Sequence, residues 1–532
     1  MRIKKVCVKN YKCLRASVVE FKDRLNVIVA NNEAGKSSVL EAINLALTCQ
    51  LNGRHIRYDL HPYLFNIEET LEYINKLRNG VKVYPPKIKI ELYFDDHEDI
   101  SHLKGSNNDD RDDCPGIVFS IVFNELSKTE YQEYISEPNE ITGVPVEFLK
   151  VVWRSFGDSE LTSYQVPIHS VLIDATSIRH DIGANKYLVD EVSRHLTASE
   201  RAKLSLAYRK MKDRFLEDDK VKLVNKKLAD QSDSISSKLL TMGLDNTARA
   251  RWEAGVIPHL DDIPFPLVGK GEQSSIKIRL ALNATEAQSV LLVEEPENHQ
   301  SHTSLNALLS VMREHAEDRQ LIVTTHNTFV LNKLGIEGVV LFDGKSGSTL
   351  VGLPPDTTKY FMRLSGHDTL RFILAKRVIL VEGPSDELIV QKAYTMCHGK
   401  SPLEHGTEVI AVNSLAFKRF LHIAQKLDVD VRVVTDNDGD PSKVIEKYKE
   451  FNGNSNIKVY FDGKDVDCKT LEPQLLKANG LTVINAVLGK KYLTSETLLK
   501  YMSKNKTECA LRIFESEEVM KYPEYIERAI TL

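Results

Sequence analysis

At 532 residues the chain is several times the usual domain size of about 150 residues, which excludes a single small binding module. Apolar residues make up 42% and charged residues 27%, a globular balance that excludes a largely disordered chain. Seventy Lys+Arg against 75 Asp+Glu leave a formal charge of -5, so no global positive field draws it to nucleic acid and any DNA contact must come from a local patch.

The basic start MRIKKVCVKNYKC is not followed by an apolar stretch of signal-peptide length, and no uninterrupted apolar run approaches about 18 residues. The reading is a cytoplasmic protein with no membrane partner. The seven cysteines are scattered and form no C-x-x-C pair, which argues against a disulfide framework or a zinc site. Residues 25–30 (LNVIVA) form a short β-rich run, followed by NNEAGKSS and by VLEAINLALT with helical apolar spacing: strand, loop, helix. Further β-like runs lie at 87–94, 117–123 and 168–173, and NNDDRDD (107–113) reads as a solvated loop.

From Ala184 to Met242 the chain has no Gly and no Pro over 59 residues, which predicts long helices. Thr197 to Glu200 fits a capping box, after which Leu204, Tyr208, Met211 and Phe215 share one face. That stripe must be buried on its own domain or on a second copy, so a dimerisation arm is one of two readings. Beyond Gly243 strands and helices alternate, and the turn-rich stretch 344–355 marks a junction, after which a second alternating pattern predicts another parallel sheet. The expected division is 1–183 and 244–352 for one α/β unit, 184–243 for a helical insertion, and 353–532 for a second α/β unit.

Ala30 to Ser37 (ANNEAGKS) is the phosphate-loop pattern G-x-x-x-x-G-K-[ST] with Ala30 in place of the first glycine. Backbone N–H groups of Asn32, Glu33, Ala34 and Gly35, with Lys36, Ser37 and Ser38 at the helix start, would cradle phosphate. Lys36 would reach the β- and γ-phosphates of ATP, and the Ser37 hydroxyl would ligate Mg²⁺. Val290 to Glu295 is an apolar strand ending in two carboxylates: Glu294 would hold Mg²⁺ through water and Glu295 would polarise an attacking water. Glu294 stands where Asp is usual, so slow hydrolysis is expected. A second apolar strand, 321–326, ends at His326, placed to touch a γ-phosphate.

These motifs in this order resemble the ABC-superfamily ATPases of recombination repair and chromosome maintenance. The resemblance implies an ABC-type ATPase domain in which VGKGEQSS (268–275), with Gly271, Glu272, Gln273 and Ser274, stands at the place of the signature loop that completes another subunit's ATP site. It departs from L-S-G-G-Q. No long heptad repeat separates the two ATPase parts.

In the second half, VILVEG ends a strand at Glu382, and VVTDNDGD ends another with Asp436 and Asp438. On an extended chain residues two apart share a face, so Asp436 and Asp438 would point with Glu382 at one Mg²⁺ or Mn²⁺. An EF-hand is excluded, since the twelfth position from Asp436 is Lys447. The pairing of V-E-G with D-x-D resembles the Toprim fold of topoisomerases, primases and related nucleases. An ABC-type ATPase followed by Toprim, with TLEP at 470–473 and the tail around NKTECALRIF, resembles the overcoming-lysogenization-defect (OLD) nucleases over nearly the whole chain. The nuclease subunit of the Gabija anti-phage system falls in the same group and is kept as a narrower match.

The resemblance implies that Glu382 and Asp386, Asp436 and Asp438, and Glu472 hold two divalent ions per Toprim site, with Lys506 stabilising the charge of the phosphorane. It implies DNA as substrate, a homo-oligomer (dimer or tetramer), and a role in defence, with an accessory helicase-like protein as a further partner. The alternative is an ATP-gated sensor or scaffold whose Toprim domain binds a partner. Primase activity lacks zinc-ribbon cysteines, and topoisomerase activity lacks a nucleophilic tyrosine context.

Overall fold

A computed structural model describes residues 1–531 except 52–53, 163–164, 175–195, 231–240, 246–251, 284–288, 351, 364–367, 413–415 and 428. The strands are β1 Ile3–Tyr11, β2 Leu14–Glu20, β3 Leu25–Val29, β4 Ile88–Phe94, β5 Cys114–Phe123, β6 Leu149–Ser155, β7 His169–Asp174, β8 Ser289–Glu294, β9 Gln320–Thr324, β10 Val339–Phe342, β11 Gly347–Thr349, β12 Arg377–Val381, β13 Thr407–Ala411, β14 Asp430–Val434 and β15 Ile457–Tyr460, with a few two-residue strands besides. They build three main sheets.

The first is antiparallel, in the order β2-β1-β4-β5-β6. The second runs β7-β8-β9-β3-β10-β11 and is parallel except for the terminal β10-β11 hairpin. Helix Lys36–Thr48 lies between these sheets, and its side chains are buried nearly all round, which accounts for its weak amphipathicity. The parallel strands read as unbroken apolar runs because both faces are covered. Ile28, Val290, Leu292 and Ile322 point into the core shared with the first sheet, while Val27, Leu291, Val293 and Leu321 point into the opposite core.

The third sheet, β13-β12-β14-β15, is wholly parallel. Val378, Leu380, Val431 and Val433 join the core that also holds Val27 and Leu291, through Phe361, Phe372, Phe417 and Phe420. Ile379, Val381 and Val434 face a separate core, built with helices Pro384–His398, Leu471–Leu488, Ser495–Lys504, Lys506–Glu515 and Glu524–Ile530. The molecule is thus a two-sheet α/β unit followed by a second α/β unit built on a wholly parallel sheet, as the two alternating patterns predict. In the third sheet β12 has β13 on one side and β14 on the other, so connections leave in opposite directions between β12 and β14. Their carboxyl ends flank a switch-point crevice, where ligands of such sheets bind.

One expectation about a loop comes out differently. The NNDDRDD stretch is not simply solvated: Lys9 and Lys89 pair with Asp109 at 2.7 and 2.8 Å, Lys5 pairs with Asp110, and the Asp109 N–H donates to buried Glu91. Basic residues of β1 and β4 hold it down. The capping box at Thr197 forms and starts helix Ala198–Glu217. Leu204, Met211 and Phe215 on that helix stay 40%, 56% and 47% exposed, so the stripe is not covered within the described chain. Residues 184–195 and 231–240 of the expected insertion lie outside the described residues. No helix among the described residues is long and apolar enough to cross a membrane.

Candidate functional site

At the carboxyl edge of the second sheet, β8, β9 and β3 end together: Glu294 pairs with Thr324, and Thr324 with Ile28. The loop after β3 turns with Glu33 at φ 67° and Gly35 at φ 99°, both left-handed. A Cβ at Gly35 would stand 2.6 Å from Leu14 Cδ2 and 2.8 Å from Cys13 Sγ, so both the dihedral and the space require glycine. Ala30 is buried and its φ is not positive, which is why the missing first glycine is tolerated. Gly35 is the N-cap of helix Lys36–Thr48 and no side chain caps it, so the first-turn N–H groups point into the loop. Ala34 is half-buried against the core shared with the first sheet, while Asn32 and Glu33 lie on the loop's exposed rim and the Ser38 hydroxyl is 3.4 Å from Cys13 Sγ.

The Lys36 ammonium is folded onto the loop and donates to the Ala30 carbonyl at 3.0 Å; burial lowers its pKa, and Glu295 and Glu294 oppose that shift. Ser37 hydrogen-bonds Glu294 directly. Glu295, at φ 42°, accepts from Asn298 at 2.7 Å and stands 3.0 Å from His326 Nδ1. The expected phosphate loop, acid pair and strand-end histidine are therefore brought to one place.

Glu297 was not singled out in the sequence. It is buried and its Oε1 accepts the Thr325 hydroxyl at 2.6 Å and the His326 N–H at 3.2 Å, so it sets where His326 stands. Burial raises its pKa, and the hydrogen bonds pull the other way. The E-E-P-E spacing, a third acid just past the strand, was the available signal. The stretch 268–275 opens helix Lys270–Asn283 and docks on the same loop: a Cβ at Gly271 would lie 2.1 Å from the His299 carbonyl oxygen. A cavity of about 700 Å³ adjoins the phosphate loop, lined by Asn10, Cys13, Arg15, Asn66, Gly344 and Lys345.

The second cluster occupies the β12/β14 crevice. Glu382 follows β12 directly; its Oε1 accepts the Thr435 hydroxyl and, at 3.2 Å, the Asp436 N–H. Asp386, in the first turn of helix Pro384–His398, accepts the Gly383 N–H at 3.1 Å. Glu472 accepts the Thr470 hydroxyl at 2.8 Å and pairs with Lys506 at 3.1 Å. No hydrogen-bond donor among the described residues reaches the Asp436 carboxylate. Burial, then Asp386, Glu382 and Glu472, push Asp436 up to about 8 while Lys506 pulls it down. Asp386 is pushed up to about 6, first by burial and then by Glu382 and Glu472.

Asp438 does not join them. β14 ends at Val434, so the two-residue alternation of a strand stops before Asp436. The buried Asn437 amide donates to the Asp462 and Asp465 carbonyls at 2.9 and 2.6 Å, and Asp438, at φ 48°, is turned out to solvent. Tyr525, from helix Glu524–Ile530, is the residue the motifs missed. Its buried phenol is pushed well above the ordinary tyrosine range, first by burial and then by Asp436, Asp386, Asp462 and Glu382.

All the cluster's donors are carboxylate oxygens, the set preferred by hard divalent cations. Among the described residues no three acidic, histidine or cysteine side chains already converge at metal-binding distance. The Thr435, Gly383, Thr470 and Lys506 donors hold the oxygens instead. In its donor chemistry the site fits Mg²⁺ or Mn²⁺.

Residues 373–438 match the model of the overcoming lysogenization defect protein-like TOPRIM domain, and residues 1–142 match that of the AAA ATPase domain. No curated protein matches the chain. Among solved structures, the SMC head domain from Thermotoga maritima aligns at 13% identity over 64% of this chain and 94% of that one, with a TM-score of 0.28. The Smc head domain with an extended coiled coil derived from Pyrococcus furiosus aligns at 14% identity over 65% and 94%, with a TM-score of 0.32. The recombination mediator protein RecF aligns at 13% over 66% and 98%, also at 0.32.

Proposed function

We propose that this chain, an OLD-type protein in which an ABC-type ATPase carries a C-terminal Toprim domain, is an ATP-regulated, divalent-metal-dependent DNA endonuclease acting in defence against foreign DNA. The observation that carries the reading is the gathering of Glu382, Asp386, Asp436 and Glu472 with Lys506 in a switch-point crevice. Carboxylates packed so closely that Asp386 and Asp436 are pushed up by their neighbours serve no packing purpose; they are an arrangement for holding cations. Two divalent ions, when bound, would supply Lewis-acid activation of water and charge neutralisation at the leaving 3′ oxygen. Glu382 and Asp386 from the β12 side and Asp436 from the β14 side would hold them, with Glu472 as the outer ligand. Lys506, released from Glu472, would donate to the phosphodiester as negative charge builds on it. Asp438, at the rim, would act on a metal only through water or after the turn rearranges.

In the ATPase unit, ATP with Mg²⁺ would sit on the Gly35–Ser38 turn with its nucleoside in the adjoining cavity of about 700 Å³. Glu295, held by Asn298 and His326, would orient the attacking water. Ser37 and Glu294, in direct contact, would be the residues to hold its Mg²⁺. We assign 1–183 and 244–352 to the ATPase, 353–532 to the nuclease unit, and 184–243 to a self-association arm. A chain lacking 184–242 is expected to elute as a smaller species in light-scattering chromatography; an unchanged mass would rule the arm out.

The direct test is cleavage of supercoiled plasmid with Mg²⁺ or Mn²⁺, with and without ATP. Nicking or linearisation by the wild type, lost in Glu382→Ala, is expected, and the response to ATP should vanish in Lys36→Ala. Absence of cleavage under every metal and nucleotide condition would sink the nuclease reading and favour an ATP-gated scaffold.

A further inference from the structure

At the opposite, amino-terminal edge of the second sheet lies a cavity of about 520 Å³ that the ATP and carboxylate sites do not use. It is lined by Arg2, Lys22, Arg24 and Arg313 against only Asp23 and Glu337, a local excess of two positive charges in a chain whose net charge is -5. The two carboxylates offset only part of this positive charge. Asp23 is engaged by Lys4 and, at 3.8 Å, by Arg2, and Lys22 donates to the Glu337 carbonyl. Arg24 acts on Asp23 only at longer range, and among the described residues neither Arg24 nor Arg313 makes a direct ion pair or a side-chain hydrogen bond. On the far wall, Thr358 is 6% exposed and its hydroxyl has no hydrogen-bond partner among the described residues.

We infer that this cavity is a second anion site, for a small ligand bearing a di- or triphosphate, separate from the phosphate loop. Cations that outnumber the carboxylates around one cavity are relieved of mutual repulsion when an anion joins them, and arginine forks suit phosphate oxygens. The size is that of a small-ligand pocket and not of an open nucleic-acid track. The site also has a mechanical connection. Thr358 and Met362 belong to helix Pro355–Arg363. Its Thr357 hydroxyl lies 3.0 Å from His422 Nδ1, and Phe361 packs edge-on against Phe420 at 5.0 Å, both on helix Phe417–Leu427 beside β14. A phosphate clamped between Arg24, Arg313 and this helix would therefore be felt by β14, the strand that leads into Asp436. Its occupancy would adjust the Toprim sheet independently of ATP at Lys36.

The test uses the full chain with Lys36→Ala, to disable the phosphate loop, and inorganic tripolyphosphate as the probe in metal-free buffer by isothermal titration. One binding event per chain is expected, weakening with salt. Arg24→Gln with Arg313→Gln should weaken it about tenfold or more, by loss of charge-assisted hydrogen bonds. Both arginines are exposed, so an unchanged melting temperature should accompany the loss; Thr358→Val, isosteric, gives a second and smaller loss. A parallel titration with a nucleoside triphosphate shows whether the nucleoside adds affinity. No binding in Lys36→Ala, or binding unchanged by the arginine substitutions, would overturn the proposal. So would displacement by duplex DNA at stoichiometric amounts, which would make the surface a nucleic-acid face. The readout is binding, so it stands or fails apart from the nuclease reading.

Discussion

Replacing Asp436 with Asn is expected to abolish plasmid cleavage, by on the order of a thousandfold, while making the metal-free protein more stable at pH 8. The two effects come from one arrangement. Asp436 has no hydrogen-bond donor on its carboxylate among the described residues, and three carboxylates act on it at once. At pH 8 its ionised form is held in place against burial and like charge. An amide of the same shape removes the charge and leaves the packing unchanged, so the melting temperature should rise by roughly 2–4 °C for each kcal/mol of repulsion relieved. A purely structural acid would behave in the opposite way, because its removal would cost stability. A variant that keeps cleavage, or that melts earlier than the wild type at pH 8, would remove Asp436 from the proposed metal site.

How far the sequence could be read depends on how local each determinant is. The strand, loop and helix around Gly35 and Lys36 need only neighbouring residues, and the structure builds them as expected from 25 to 48. Glu382 and Asp436 were also legible, because parallel strands bring the residues just past their carboxyl ends to one edge. Asp438 was not, because its place depends on where β14 stops and on Asn437 bonding to carbonyls some 25 residues away, neither of which alternation reports. Glu297 and Tyr525 escaped for a related reason. Each is buried in a loop or helix whose partners, Thr325 in one case and Asp436 in the other, come from distant segments. The acidic 107–113 loop looked solvated because its lysine partners lie on β1 and β4.

The melting temperature of the metal-free protein is expected to fall as pH rises from about 5 to 9, and Mg²⁺ or Mn²⁺ should restore it more strongly the higher the pH. The sign comes from the two raised carboxyls. Asp386 is pushed up to about 6 and Asp436 to about 8, both from an ordinary aspartate value of 3.8. The folded state thus binds protons that the unfolded chain has already released. Stability from these groups is full below about pH 4 and is lost as pH climbs through 6 and then 8. A divalent ion competes with those protons for the same oxygens, so at pH 5.5 it must displace them and gains little, whereas at pH 8.5 it neutralises charge that is already present. Thermal unfolding in a chelating buffer and in millimolar metal, at pH 5.5, 7 and 8.5, measures the effect directly. In Asp436→Asn both the slope with pH and the metal-induced rise should shrink. A metal-free curve that is flat or rising over this range, with a metal shift independent of pH, would mean that the four carboxylates do not act on one another as their placement requires.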